Sequence, residues 1–177
     1  MPTIAAALSA LAQAECPVLL IGGNALEAHG YTRFTVDVDC LVTNSSLEQL
    51  KAALSRNGFE YAGRTSSFHE FWFEGMPGGM PIHAMFVDDA TFEKMWLRRV
   101  MMPSANIPLH APCVAHLIAL KLHAAKNNPK RMNKDMPDVL ALLERNPDAM
   151  TRGELEQICA RYASPECVSV LKEQHYL

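Results

Sequence analysis

Apolar positions at helical spacing open the chain: Ile4, Leu8 and Leu11 behind Thr3 predict a helix to about residue 14. Val18-Leu-Leu-Ile21 is a short buried strand running into Gly22-Gly23. A helical turn follows from Asn24 to His29 and stops at Gly30. From Val36 to Val42 the pattern alternates, with Val36, Val38, Cys40 and Val42 on one face and Asp37, Asp39 and Leu41 on the other. Ser46-Leu-Glu-Gln49 has capping-box form and opens a helix with Leu47, Leu50 and Leu54 inward and Gly58 as its stop. Aromatic-rich strands at 59–63 and 68–74 come next. Met76-Pro-Gly-Gly-Met80 turns the chain back through a strand over 82–87.

The second half reads differently. A helical segment near Thr91–Arg99 leads to a loop, and Pro112 at the first helical position starts a long helix to about Lys126. Asn127-Asn-Pro129 breaks it. Helices are expected at 135–145, at 152–161 behind Thr151-Arg-Gly-Glu154, and at 165–174 behind Ser164-Pro165. The expected class is α/β (α+β): a mixed core over residues 1–110 and a helical part over 111–177 packed on it as one unit.

Composition narrows the function classes. The chain has 177 residues, of which 49% are hydrophobic and 20% charged, enough apolar material for a folded core. No stretch approaches the ~18 consecutive apolar residues of a membrane span. The apolar N-terminus meets its first basic residue only at Arg33, so it is read as a helix of a cytoplasmic protein and not as a secretory signal. Five cysteines, no two at C-x-x-C spacing, argue against a disulfide framework and a zinc ribbon. Residues 94–134 carry eight basic residues and no acidic one, a surface suited to an anion.

The candidate chemistry lies in Leu19–Val42. Two carboxylates two apart on a strand, Asp37 and Asp39, project to one side with Cβ atoms roughly 7 Å apart. Such a pair repels itself unless a cation sits between, and hard oxygen donors select Mg²⁺ or Mn²⁺. Just upstream, a glycine pair at a strand-to-helix turn exposes backbone N–H groups to a phosphate. Metal and phosphate cradle together are the equipment of phosphoryl or nucleotidyl transfer.

Gly22-Gly23-x-Ala25-Leu26, His29-Gly30, Arg33, Thr35 and Asp37-x-Asp39 resemble the signature of the DNA polymerase β-type nucleotidyltransferase superfamily, and most nearly the small bacterial nucleotidyltransferases of the AbiEii toxin type. Lys121, Arg131 and Lys134-Asp135-x-x-Asp138 are similar to that group's C-terminal signature. The resemblance implies a short mixed sheet flanked by helices, with a helical C-terminal part closing over the nucleotide. It implies that Gly22, Gly23 and Asn24 cradle an NTP, that Asp37 and Asp39 hold a divalent metal, and that Lys121, Lys134 and Arg131 contact phosphates. Arg33 then touches the nucleotide or neutralises the carboxylate pair, and Asp135 and Asp138 orient the lysines or a base. The acceptor is open: a tRNA end, a protein side chain or a small molecule, with a toxin role implied by the resemblance alone.

One departure stands out. The superfamily's third carboxylate falls on a later strand, and here that position is His83. An imidazole ligates Mn²⁺ or Zn²⁺ but is a poor partner for Mg²⁺, and it also suits a general base near neutral pH. Glu70, Glu74 and Asp88 are the alternative acids. The competing reading is a nucleotide-binding or interaction module that has lost its third metal carboxylate.

Overall fold

The computed structural model describes residues 3–65, 68–74, 80–103 and 108–177. They form two compact units, one of residues Met1–Ala28 and Thr32–Pro112, the other of His29–Tyr31 and Cys113–Leu177.

The first unit is built on a mixed sheet of seven strands: β1 (Leu19–Ile21), β2 (Val38–Thr43), β3 (Phe59–Arg64), β4 (His69–Phe73), β5 (Ile82–Val87), β6 (Val100–Met101) and β7 (His110–Ala111), in the order β3-β4-β5-β2-β1-β7-β6. β2 lies at its centre, parallel to β5 and antiparallel to β1. Val38, Cys40, Leu41 and Val42 are all fully buried, so both faces of this strand are covered at its C-terminal end. The strand is shorter than the alternation predicts: it begins at Val38, and Val36 is 61% exposed ahead of it. Asp37 therefore stands just before β2 and Asp39 within it.

Three helices belong to this unit: α1 (Ile4–Ala12), α2 (Leu47–Arg56) and α3 (Asp89–Leu97). Thr3 caps α1 by accepting the Ala6 N–H, and Ala7, Ala10 and Leu11 turn inward. Ser46 does not close the expected capping box. It sits in helical conformation as the last residue of a 3₁₀ turn over Asn44–Ser46, and its hydroxyl pairs with Thr43 Oγ1 at 2.7 Å. Asp88 caps α3, accepting from Thr91 N–H and Oγ1 at 2.8 Å each. β6 and β7 occupy what reads in sequence as loop; β7 adds to the sheet edge parallel to β1, with Leu19 opposite His110. All but Met80 of the turn expected at Met76–Met80 lies outside the described residues.

The second unit is helical: α4 (Val114–Asn127), α5 (Met132–Arg145), α6 (Arg152–Tyr162) and α7 (Pro165–Glu173). Cys113 is the cap of α4, in extended conformation, so Pro112 lies outside the helix and not at its first position. Asn128 ends α4 in extended backbone, and α5 starts three residues earlier than expected. Thr151 and Glu154 form both halves of a capping box on α6, and Ser164 caps α7 with Pro165 behind it. The stretch 29–31 is held by the end of α5: Arg145 donates to Gly30 O at 3.0 Å and Asn146 to His29 O at 3.1 Å. No helix of the described residues is long and apolar enough to cross a membrane.

Candidate active site

The glycine pair sets the geometry of the first unit's site. Gly22 has φ +65°, a conformation that costs little only without a Cβ, and a Cβ built there would overlap the Asp39 carboxylate. A Cβ on Gly23 would come within 3.0 Å of Thr35 Oγ1 and 3.2 Å of Arg33 Nη1. The turn after β1 thus lies directly against the segment that leads into β2. Along that segment Arg33, Thr35 and Asp37 are half-buried, while Phe34 and Val36 are exposed.

Local hydrogen bonds hold this segment. Asn24 Nδ2 donates to the Asp37 carbonyl at 2.9 Å, so its side chain anchors the approach to β2. Thr35 Oγ1 donates to Asp37 Oδ1 at 2.5 Å, which fixes the carboxylate. Arg33 Nη1 donates to the Phe34 carbonyl at 3.1 Å.

Register brings the remaining groups in. Asp39 of β2 lies opposite His83 of β5, and His83 Nδ1 is 3.3 Å from Asp39 Oδ1. Asp37, Asp39 and His83 each offer a donor atom, all within 4.8 Å of one another. The hydrogen bond that the His83 ring donates to the Asp39 carboxylate raises its pKa above the ordinary imidazole value; burial opposes this, and the charges of Asp39, Asp37 and Glu70 add to the rise. Of the alternative acids, Glu70 faces His83 from β4, Glu74 follows the end of β4, and Asp88 is engaged as the α3 cap. Cys40, beside Asp39, is fully buried and its thiol pKa is driven far up by burial, so it is no nucleophile.

In the second unit two of the three predicted phosphate residues, Lys121 and Arg131, are part of an ion network with Asp135 and Asp138. Lys121 is 5% exposed, with Nζ 2.6 Å from Asp138 Oδ2 and 3.7 Å from Asp135 Oδ1. Arg131 pairs with Asp135 through Nε at 2.7 Å and Nη2 at 3.3 Å. Asp135 and Asp138 are fully buried, while Lys134 is exposed. The Lys121 ammonium is thus held by two carboxylates from α5.

No protein-family model and no curated protein matches the chain. Solved structures do. The antibiotic-resistance factor ANT(2″)-Ia in solution matches with a TM-score of 0.65 at 15% identity, over 99% of both chains. Its crystal structure in complex with adenylyl-2″-tobramycin matches at 0.64 and 16%, over 90% of this chain and 97% of that one. An antigenic nucleotidyltransferase-like protein from Paracoccidioides brasiliensis matches at 0.54 and 16%, over 94% and 90%. The chain has a nucleotidyltransferase fold.

Within that fold, Asp37, Asp39 and His83 are a donor set suited to a divalent cation. Two carboxylates crowded behind a glycine turn repel one another, and the imidazole already partners one of them.

Proposed function

We propose that the protein is a metal-dependent nucleotidyltransferase that moves a nucleoside monophosphate from an NTP to a hydroxyl group. The convergence of Asp37, Asp39 and His83 beside the Gly22-Gly23 turn carries this reading. In the transfer, the acceptor oxygen bonds to the α-phosphorus, the bond to the bridging oxygen breaks and pyrophosphate leaves, while the hydroxyl proton passes to water. Backbone N–H groups of the glycine turn bind the triphosphate, and Arg33 adds a positive charge beside them. Asp37 and Asp39 would hold the cation, Mn²⁺ or Mg²⁺, with His83 completing the set. Held there, such a cation would supply positive charge to offset the triphosphate and to acidify the acceptor hydroxyl. Thr35 and Asn24 keep the Asp37 carboxylate and its backbone in place.

The acceptor classes are RNA such as a tRNA end, a protein side chain and a small molecule; ANT(2″)-Ia, bound to adenylyl-2″-tobramycin, illustrates the last. The two signatures that resemble AbiEii-type toxins make a toxin role part of this proposal. His83 in place of a third carboxylate favours one competing reading, a nucleotide-binding module without catalysis. Incubating the protein with each of four α-labelled NTPs, Mg²⁺ or Mn²⁺, and RNA, protein or aminoglycoside acceptors separates the two. Label transfer abolished by Asp39→Asn supports the enzyme. NTP binding without transfer under any condition supports the module.

A further inference from the structure

Carboxylates flank His83 on both sides. Register sets Asp39 of β2, His83 of β5 and Glu70 of β4 in one row across three neighbouring strands. Residues paired in this way project to the same face of the sheet. The ring nitrogens divide between the two acids: Nδ1 is 3.3 Å from Asp39 Oδ1, and Nε2 is 3.8 Å from Glu70 Oε1. The Phe68 ring lies 5.5 Å from the imidazole, centroid to centroid, in a tilted arrangement.

Asp37, Asp39 and His83 share a donor cluster that does not include Glu70. A carboxylate outside the ligands, facing the far nitrogen of a ligating histidine, accepts the other ring N–H. It thereby fixes the tautomer and strengthens the near nitrogen as a donor.

We propose that Glu70 is a positioning residue for a metal-ligating His83: its carboxylate, at ion-pair distance from Nε2, closes to accept the Nε2–H when the cation binds and leaves Nδ1, on the side of Asp37 and Asp39, as the ligating nitrogen. This rests on the metal-dependent reading above and sharpens it in two respects. The centre becomes a two-carboxylate, one-imidazole site that favours Mn²⁺ over Mg²⁺. An imidazole with one nitrogen on a cation and the other bonded to Glu70 has no lone pair for the acceptor's proton, so His83 is a ligand and not the general base.

The test uses the full chain without nucleotide. Mn²⁺ affinity is measured by electron paramagnetic resonance for the wild type, Glu70→Ala and Glu70→Gln. The His83 tautomer is read by ¹⁵N NMR of the Zn²⁺-loaded, histidine-labelled protein. Glu70→Ala weakens Mn²⁺ binding about 10–100-fold. Glu70→Gln, whose amide oxygen still accepts an N–H, loses less. Zn²⁺-loaded wild type shows the proton on Nε2. Equal Mn²⁺ affinity in wild type and Glu70→Ala, or Nε2 as the metal-bound nitrogen, overturns the proposal. Should Glu70→Ala not fold, Glu70→Gln and the wild-type tautomer decide it. Label transfer from NTP, assayed in parallel, keeps the two readings apart. The expected tautomer and affinities without any transfer would sink the transferase reading and leave the role of Glu70 standing; undiminished transfer with Nε2 on the metal does the reverse.

Discussion

Lys121 and Asp138 form an ion pair of 2.6 Å in the interior of the second unit, between α4 and α5. Both side chains are almost wholly buried, and Asp135, itself held by Arg131, lies on the other side of the ammonium. Removing one partner of such a pair leaves an uncompensated charge in the interior. Lys121→Ala is expected to lower unfolding stability by about 3–5 kcal/mol. Urea denaturation checks this, and a loss under about 1 kcal/mol would show that the pair is not closed in solution. Any loss of NTP binding in that variant then has to be read against its stability, whereas Lys134 is exposed, so Lys134→Ala tests the phosphate contact that the resemblance implies for it without that complication.

The glycine turn supplies a second test. Gly22→Ala puts a residue with a Cβ at φ +65° and drives that Cβ into the Asp39 carboxylate. The backbone term alone costs about 1–3 kcal/mol. Asp39 must also move, so Mn²⁺ affinity should fall with stability. Calorimetric titration on the folded variant checks it, and native affinity would mean that Asp39 does not depend on the turn.

Much of this was legible in sequence, for reasons that differ by residue. Period-two alternation over Ile82–Val87 sufficed to put His83 on a sheet face, and the Asp-x-Asp pair marked the strand it would join. Direct pairing with Asp39 depends on β2 and β5 being parallel neighbours, which follows from the whole chain's topology. Ser46 misled because a 3₁₀ turn ahead of α2 holds it in helical conformation and pairs its hydroxyl with that of Thr43. β6 and β7 are two residues each, too short for any periodicity, and exist because the edge of β1 is there to receive His110. Lys121 reads as a surface cation; its burial depends on a partner 17 residues away that only helix packing delivers. Glu70 was visible as one of several acids, and the register singled it out.

Asp37→Asn and Asp39→Asn should each abolish NMP transfer while changing stability of the metal-free protein by less than about 1 kcal/mol, because each also relieves repulsion between the two carboxylates. His83→Asp restores a third carboxylate and should shift metal preference from Mn²⁺ toward Mg²⁺. Transfer rates with the two metals, alongside thermal denaturation, check both. Full activity in either Asn variant would place the metal elsewhere.

The histidine also gives a pH signature. In the metal-free fold its pKa lies above the unfolded value of about 6.5, chiefly through the hydrogen bond to Asp39. Protonation therefore favours the native state. The stabilisation is complete below the unfolded pKa and is lost as pH rises through the folded one. His83→Gln should remove this slope from the stability curve, and NMR titration of the ring should show the raised midpoint. Adding Mn²⁺ should displace the proton and move the midpoint down. A midpoint at or below the ordinary value in metal-free protein would contradict the Asp39–His83 contact.

The most direct measurement is a crystal structure of the protein soaked with Mn²⁺ and a non-hydrolysable NTP, with the cation located by anomalous scattering. The expected result is Mn²⁺ bound by carboxylate oxygens of Asp37 and Asp39 and by Nδ1 of His83, with triphosphate oxygens against the Gly22-Gly23 turn. Nucleotide bound elsewhere, or a cation peak that leaves Asp37 and Asp39 untouched, contradicts the account.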